Sequence, residues 1–256
     1  GSEDAETILG SRAADVITGQ GGDDVLLGGA GGDVLDGGAG NDVLRGGGAI
    51  AWDNQIYDWN DEGDTYRFGR GDGNDTLIDG SWQQGEIDRI ELKAGVLPTD
   101  VRLERVRTVS GWQVSDDLKI TIRDTGETLT IKNHFNESNR FVVEEIVFAD
   151  GTLWDVETIK SRSLLGEAGN DEMRGFNGRD DLTAGGAGND KLIGLSGNDT
   201  LVGGTGDDVL EGGTGSDTYR FGLGDGQDVI YEDYTAGADS LELASGVSPA
   251  DVTVRW

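Results

Sequence analysis

A nine-residue unit recurs along this chain, and a period that short dictates how the chain can bury anything at all. In GQGGDDVLL from Gly19, GGAGGDVLD from Gly28 and GGAGNDVLR from Gly37, aspartate stands sixth and leucine eighth with no break in register. A unit of this length encloses no core of its own, so burial has to come from stacking successive units. GSRAADVIT from Gly10 keeps Asp15 and Ile17, while GSEDAETIL from Gly1 keeps Ile8 and has Glu6 in the aspartate place. A second block runs GEAGNDEMR from Gly166, GFNGRDDLT from Gly175, GGAGNDKLI from Gly185, GLSGNDTLV from Gly194, GGTGDDVLE from Gly203 and GGTGSDTYR from Gly212, with Ala184 as an extra residue.

Both blocks close alike. Asp64-Thr-Tyr-Arg-Phe68 leads into GRGDGNDTLID and Asp217-Thr-Tyr-Arg-Phe221 into GLGDGQDVIYED, where Asp75 and Asp228 are each sixth in a last repeat that starts at the second residue of the stretch. A longer period overlies the short one, because DRIELKAGVLPTDVRLER from Asp88 is echoed by DSLELASGVSPADVTVRW from Asp239. That second copy stops at Trp256, which reads as a cut from a longer chain, and Gly1-Ser2 reads as an expression scar. Between the blocks, DLKITIR from Asp117, ETLTIKN from Glu127 and VVEEIVFADGTLW from Val142 alternate apolar and polar residues, the period of a half-buried strand. Asp155 is placed to cap a short helix through Ile159 and Lys160.

Within the repeat, glycines allow positive φ and close backbone approach, so the first six residues suit a tight turn that exposes carbonyl oxygens. The last three suit a very short strand. Iterated, these make a parallel coil in which Leu26, Leu35 and Leu44 point inward. One buried leucine per unit falls well short of the backbone entropy lost in ordering the rest. Stacked turns also align the sixth-position carboxylates, and two such charges roughly 5 Å apart repel by about 3 kcal/mol at an effective dielectric near 20. A divalent cation reverses that sign. Carboxylates and carbonyls form a hard, oxygen-only ligand set that suits calcium better than the smaller, octahedral magnesium, and zinc lacks its nitrogen or sulfur ligands. The chain has no cysteine, so neither a disulfide nor a thiolate site can take over the stapling.

The repeat resembles the calcium-binding nonapeptide of the RTX (repeats-in-toxin) haemolysin-type family, over about residues 10–79 and 164–233. The segment between is similar to the haemolysin-type calcium-binding-related linker domain. The resemblance implies a parallel β-roll with two nonapeptides per coil, several calcium ions held between turns, and export by type I secretion machinery. Carried onto this chain, it implies as metal ligands Asp15, Asp24, Asp33, Asp42, Asp64, Asp75, Asp171, Asp180, Asp190, Asp199, Asp208, Asp217 and Asp228. The turn glycines implied with them are Gly19, Gly21, Gly28, Gly37, Gly166, Gly175, Gly185, Gly194, Gly203 and Gly212. Partners should then lie two units apart, as Asp24 with Asp42 or Asp199 with Asp217. In the first block an insertion at about 48–60 leaves open whether Asp33 or Asp42 partners Asp64.

Charge narrows the partners. With 50 acidic against 20 basic residues the net charge is −30, which repels nucleic acid and anionic membranes. The same acidic composition, with 45 glycines, reads as disorder wherever metal is absent. No apolar run approaches the roughly 18 residues of a membrane span. His134 is the only histidine and has no second histidine or cysteine to share a metal; Ser-His-Asp chemistry is unsupported, and a core or surface histidine is its reading. Gly194-Leu-Ser196-Gly197 has the wrong spacing for a nucleophile elbow. Asp58, Asn60 and Glu62 before Gly63 imitate an EF-hand, but its twelfth position is Gly69. Carboxylate pairs of a glycosidase are better explained by the repetition itself.

The expectation is therefore an all-β chain: two calcium-binding parallel β-roll blocks joined by a small β-rich linker or capping domain. The blocks are 1–87 and 164–238, the linker is 88–163, and 239–256 begins a further linker. The module is expected to be non-enzymatic, secreted to the extracellular space or cell surface, folding on calcium after export and acting on adjacent domains of its parent chain. The alternative is a calcium-stiffened adhesin segment in which Trp52, Tyr57 and Trp59, or Trp82, bind a glycan or host receptor; covering an open roll edge is the plainer role for these aromatics.

Overall fold

The structure, a computed structural model, describes residues 1–47, 49–50, 56–57, 62–78, 86–110, 113–135, 143–183, 186–232, 237–248 and 250–253. It divides into two compact units, Gly1–Lys160 and Ser161–Trp256.

In the first unit successive nonapeptides feed opposite sheets. Thr7–Leu9, Val25–Gly29, Val43–Gly47 and Asn74–Leu77 pair in parallel in one sheet. Val16–Gly21, Val34–Ala39, Thr65–Phe68 and Arg89–Leu92 do so in the other. Val25 lies beside Val43 and Val16 beside Val34, so one full coil consumes two repeats. The strands are short because each is bounded by turn glycines, as at Gly31, whose φ of 102° an L-residue rarely adopts. Leu26, Leu35 and Leu44 stack between the sheets, fully buried, as the eighth-position pattern predicts.

An insertion at about 48–60 interrupts the repeats of this roll. Val34 pairs with Thr65 and Val43 with Thr76, so the register resumes on the far side. Its described backbone is an antiparallel ribbon, Ala49–Ile50 with Ile56–Tyr57.

Residues after Asp88 prolong the same two sheets. Thr128–Ile131 adds in parallel to Asn74–Leu77, and Gln113–Ile122 and Val101–Ser110 follow antiparallel. In the other sheet Glu145–Val147 adds in parallel to Arg89–Leu92, and Leu153–Trp154 follows antiparallel. Leu77, Ile90, Leu118, Ile120, Leu129, Ile131 and Ile146 are fully buried, so one core runs from roll into cap. His134 belongs to that core: it accepts the Val143 N–H on Nδ1 at 3.4 Å, and burial pushes its imidazole down to about 3. The helix Val156–Ser163 starts as the sequence predicts, with the Thr158 N–H donating to Asp155 Oδ1 at 2.8 Å.

The second unit is a roll of two parallel sheets. One holds Glu172–Arg174, Lys191–Ser196, Val209–Thr214 and Val229–Tyr231, and the other Asp181–Thr183, Thr200–Val202, Thr218–Phe221 and Ser240–Leu243. Met173, Leu182, Leu192, Leu201, Leu210 and Tyr219 form its core with Leu164, and Phe176 packs against them. Among the described residues no helix is long and apolar enough to cross a membrane.

Candidate metal centre

Stacking the coils stacks their sixth-position aspartates, and each carboxylate divides its two oxygens between two tasks. Oδ1 accepts the backbone N–H of the aspartate one coil earlier. Asp24 N donates to Asp42 Oδ1 at 2.7 Å, Asp190 N to Asp208 Oδ1 at 2.8 Å and Asp199 N to Asp217 Oδ1 at 2.8 Å, each across 18 residues. The first unit resolves its open pairing the same way: Asp33 N meets Asp64 Oδ1 at 2.7 Å and Asp42 N meets Asp75 Oδ1 at 2.9 Å. Two ladders result there, Glu6–Asp24–Asp42–Asp75 and Asp15–Asp33–Asp64–Asp88. The second unit has Asp171–Asp190–Asp208–Asp228 and Asp180–Asp199–Asp217–Asp239.

Oδ2 behaves differently along each ladder. In the opening coils it is held by the repeat's own turn: Ser11 N donates to Asp15 Oδ2 at 2.6 Å, Glu167 N to Asp171 Oδ2 at 2.7 Å and Phe176 N to Asp180 Oδ2 at 2.5 Å. Farther in, Oδ2 of Asp24, Asp42, Asp75, Asp190, Asp199, Asp208 and Asp217 is buried and accepts no hydrogen bond among the described residues. A buried carboxylate oxygen left bare is costly, and repetition multiplies the cost.

The glycines define what faces those oxygens. A Cβ built on Gly194 would stand 2.5 Å from both Asp199 Oδ2 and the carbonyl oxygen of Gly212, one coil on. Gly175 would meet Gly194 O at 2.6 Å and Asp180 Oδ2 at 2.7 Å, and Gly19 and Gly28 face Asp24 and Asp33 with the carbonyls of Gly37 and Gly46. Gly37, Gly203 and Gly212 each face the carboxylate of their own repeat. The Gly19 and Gly194 cradles therefore gather a bare carboxylate oxygen and a carbonyl from the next coil where no side chain can intrude. That is a hard oxygen donor set, and it fits calcium. Gly21 faces Glu3 Oε2 at 2.8 Å instead, and Gly166 donates its N–H to Thr183 O at 2.9 Å.

Electrostatics agree with the geometry. Without a cation, burial pushes the Asp75 carboxyl up to about 8, with Asp42 and Asp72 adding repulsion. Burial likewise raises Asp199 and Asp228 to about 6, and Asp42 and Asp190 move upward for the same reason. A divalent ion in the cradles would restore the ionised form.

Four acids absent from the predicted set also occupy this frame. Asp64 N donates to Asp88 Oδ1 at 2.6 Å, and Asp88 N to Glu144 Oε2 at 2.8 Å. Asp239 takes the Asp217 N–H at 3.0 Å, and Glu232 accepts the Tyr219 hydroxyl. The signal for Asp88 and Asp239 is in DRIEL and DSLEL, where the aspartate is followed two places on by a strand apolar residue, as in the nonapeptide. Of the residues singled out from sequence, Trp52, Asp58, Trp59, Asn60, Trp82, Ala184, Gly185, Trp256 and the Tyr57 side chain lie outside the described residues.

Two-repeat coils, a leucine stack and ladders of buried aspartates over glycine cradles define a calcium-binding parallel β-roll. The RTX calcium-binding nonapeptide repeat (4 copies) matches residues 1–35, 27–49, 163–192 and 184–219, and the haemolysin-type calcium binding protein related domain matches residues 117–158. The chain thus carries RTX calcium-binding nonapeptide repeats on both sides of a haemolysin-type calcium binding protein related domain, and it is a calcium-binding RTX module. Among solved structures it is similar to the AlgE6R3 subunit of the Azotobacter vinelandii mannuronan C5-epimerase, at 26% identity and a TM-score of 0.39, covering 59% of this chain and 81% of that one. It is also similar to the extracellular lipase LipA of Serratia marcescens, at 18% identity and a TM-score of 0.31, covering 95% of this chain but 33% of that one. No curated protein matches the chain.

Proposed function

We propose that this chain is the calcium-gated folding module of a secreted bacterial protein. It leaves the cell unfolded through type I secretion machinery, meets millimolar calcium outside, and folds into two rolls that order the adjacent domains of its parent. Its own role is scaffolding rather than catalysis. The bare, buried Oδ2 atoms of the interior ladders carry this reading, because the rolls cannot close over them without a cation.

The ligands are the aspartates predicted from the repeat, with cradle carbonyls completing each sphere. Residues 88–163 serve as the cap of the first roll, and residues 239–256 begin the same device after the second. Binding energy is folding energy in such a chain, so the calcium midpoint reports on both. Far-UV circular dichroism across a calcium titration, with magnesium as control, tests the reading. Strand signal should rise steeply with calcium and not with magnesium, and a chain fully folded in excess chelator overturns it.

A further inference from the structure

Asp217, Glu232 and Asp239 each bring one carboxylate oxygen to a cluster whose members all lie within 4.8 Å of one another. We propose that these three residues form a further calcium site at the close of the second roll, distinct in composition from the sites between nonapeptides. The assignment rests on the calcium-loaded reading of the rolls. Glu232 and Asp239 lie outside residues 184–219, where the last repeat match ends, and neither belongs to a glycine-rich turn of the repeat.

Asp217 supplies the observation that points to a ligand. It is 1% exposed, its Oδ1 is taken by the Asp199 N–H at 2.8 Å, and its Oδ2 accepts no hydrogen bond among the described residues. That oxygen and the Tyr219 hydroxyl both crowd the point where a Gly212 Cβ would stand. The hydroxyl accepts the Gly212 N–H at 2.8 Å and donates to Glu232 Oε1, so it fixes Glu232 on the side where Asp217 is bare.

Comparison with the preceding turn of the same ladder shows what has changed. The Gly194 cradle opposes Asp199 Oδ2 with a neutral carbonyl, that of Gly212. At Gly212 the Tyr219 hydroxyl stands where a following carbonyl would be, and the charged Glu232 comes with it. Three carboxylates gather here, and the greater ligand charge raises affinity for calcium. Tyr219 is a positioning residue: its phenol holds Glu232 and is not itself a ligand. In the first unit the Tyr66 hydroxyl likewise accepts the Gly46 N–H, at 2.9 Å. There Asp79 follows Asp64 at the same offset as Glu232 follows Asp217, and Asp79 lies outside the described residues.

The test counts calcium bound to the full chain by equilibrium dialysis, with far-UV circular dichroism at saturating calcium recorded for each variant. Glu232→Gln should bind one ion fewer with an unchanged spectrum, and Glu232→Asp should recover that ion. Tyr219→Phe should keep the ion count, weaken the site several-fold, and reduce terbium emission excited through tyrosine. A wild-type ion count in Glu232→Gln, or the loss of several ions at once, overturns the assignment. A wild-type chain that takes up no calcium overturns the wider reading as well.

Discussion

The two rolls end on nearly the same sequence and meet different surroundings. In the first, Leu77 and Ile90 are fully buried because Thr128–Ile131 and Glu145–Val147 add to their sheets. In the second, the matching Ile230 and Leu241 are 39% and 46% exposed, on strands with one neighbour each among the described residues. The carboxylates follow the covering: Asp75, beneath the cap, is pushed to about 8, whereas Asp228 reaches about 6. Covering a roll end therefore adds apolar burial and, by the same act, deepens the need for a cation. Its stability and its calcium demand rise together.

The largest test of this comparison is removal of calcium. The antiparallel strands Val101–Ser110, Gln113–Ile122 and Thr128–Ile131 are joined by short-range pairings that need no carboxylate ladder. Hydrogen exchange in excess chelator should leave partial protection there while the second roll loses all of it. Equal loss in both units would break the comparison. Next, Asp199→Ala with Asp208→Ala should raise the calcium midpoint of the second roll at least about tenfold, or ~1.4 kcal/mol, and leave the first responsive. A shift shared by both units would mean that they fold as one.

Filling a cradle should cost less. Gly194→Ala places a methyl against Asp199 Oδ2 and Gly212 O and should destabilise the calcium-bound second roll by about 1–3 kcal/mol. Gly178→Ala, which meets nothing within 4 Å, should stay within about 0.5 kcal/mol. Denaturant melts in saturating calcium decide between them, and equal effects would remove the cradle from the account.

The smallest effect is that of pH on the calcium-free chain. Carboxyls raised from 3.8 bind more protons folded than unfolded, so they favour the folded state below 3.8 and lose that contribution as pH rises through their folded values. Structure in chelator should thus grow on acidification. On raising the pH it should fade through about 6 in the second roll, from Asp199 and Asp228, and through about 8 in the first, from Asp75. Metal-free strand signal that instead increases with pH would contradict the buried ladders.

Much of this was legible in the repeat. The sixth-position aspartates and the eighth-position leucines stand where stacking demands, since a fixed period transmits register by itself. Legibility fails where the period does. Asp33 reaches Asp64 across 31 residues, Asp64 reaches Asp88 across 24 and Asp88 reaches Glu144 across 56. Those partners are chosen by which strand the sheet accepts next, a tertiary event with no local signature. Glu232 escaped for another reason: it is brought to Asp217 by a tyrosine that the pattern marks only as a core residue.

The ladder of Oδ1 bonds also has a direction. In each of the four ladders every amide ahead of the last rung donates to a carboxylate of a later coil, from Glu6 onto Asp24 through to Asp217 onto Asp239. Trimming coils from the amino-terminal side leaves each surviving amide with its acceptor. Trimming from the other side orphans the amide just above the cut, then the next. Built this way, a roll is like a zip with its stop at one end: its two ends are not equivalent, and only a loss at the carboxyl-terminal one strips an acceptor from the coil beside it.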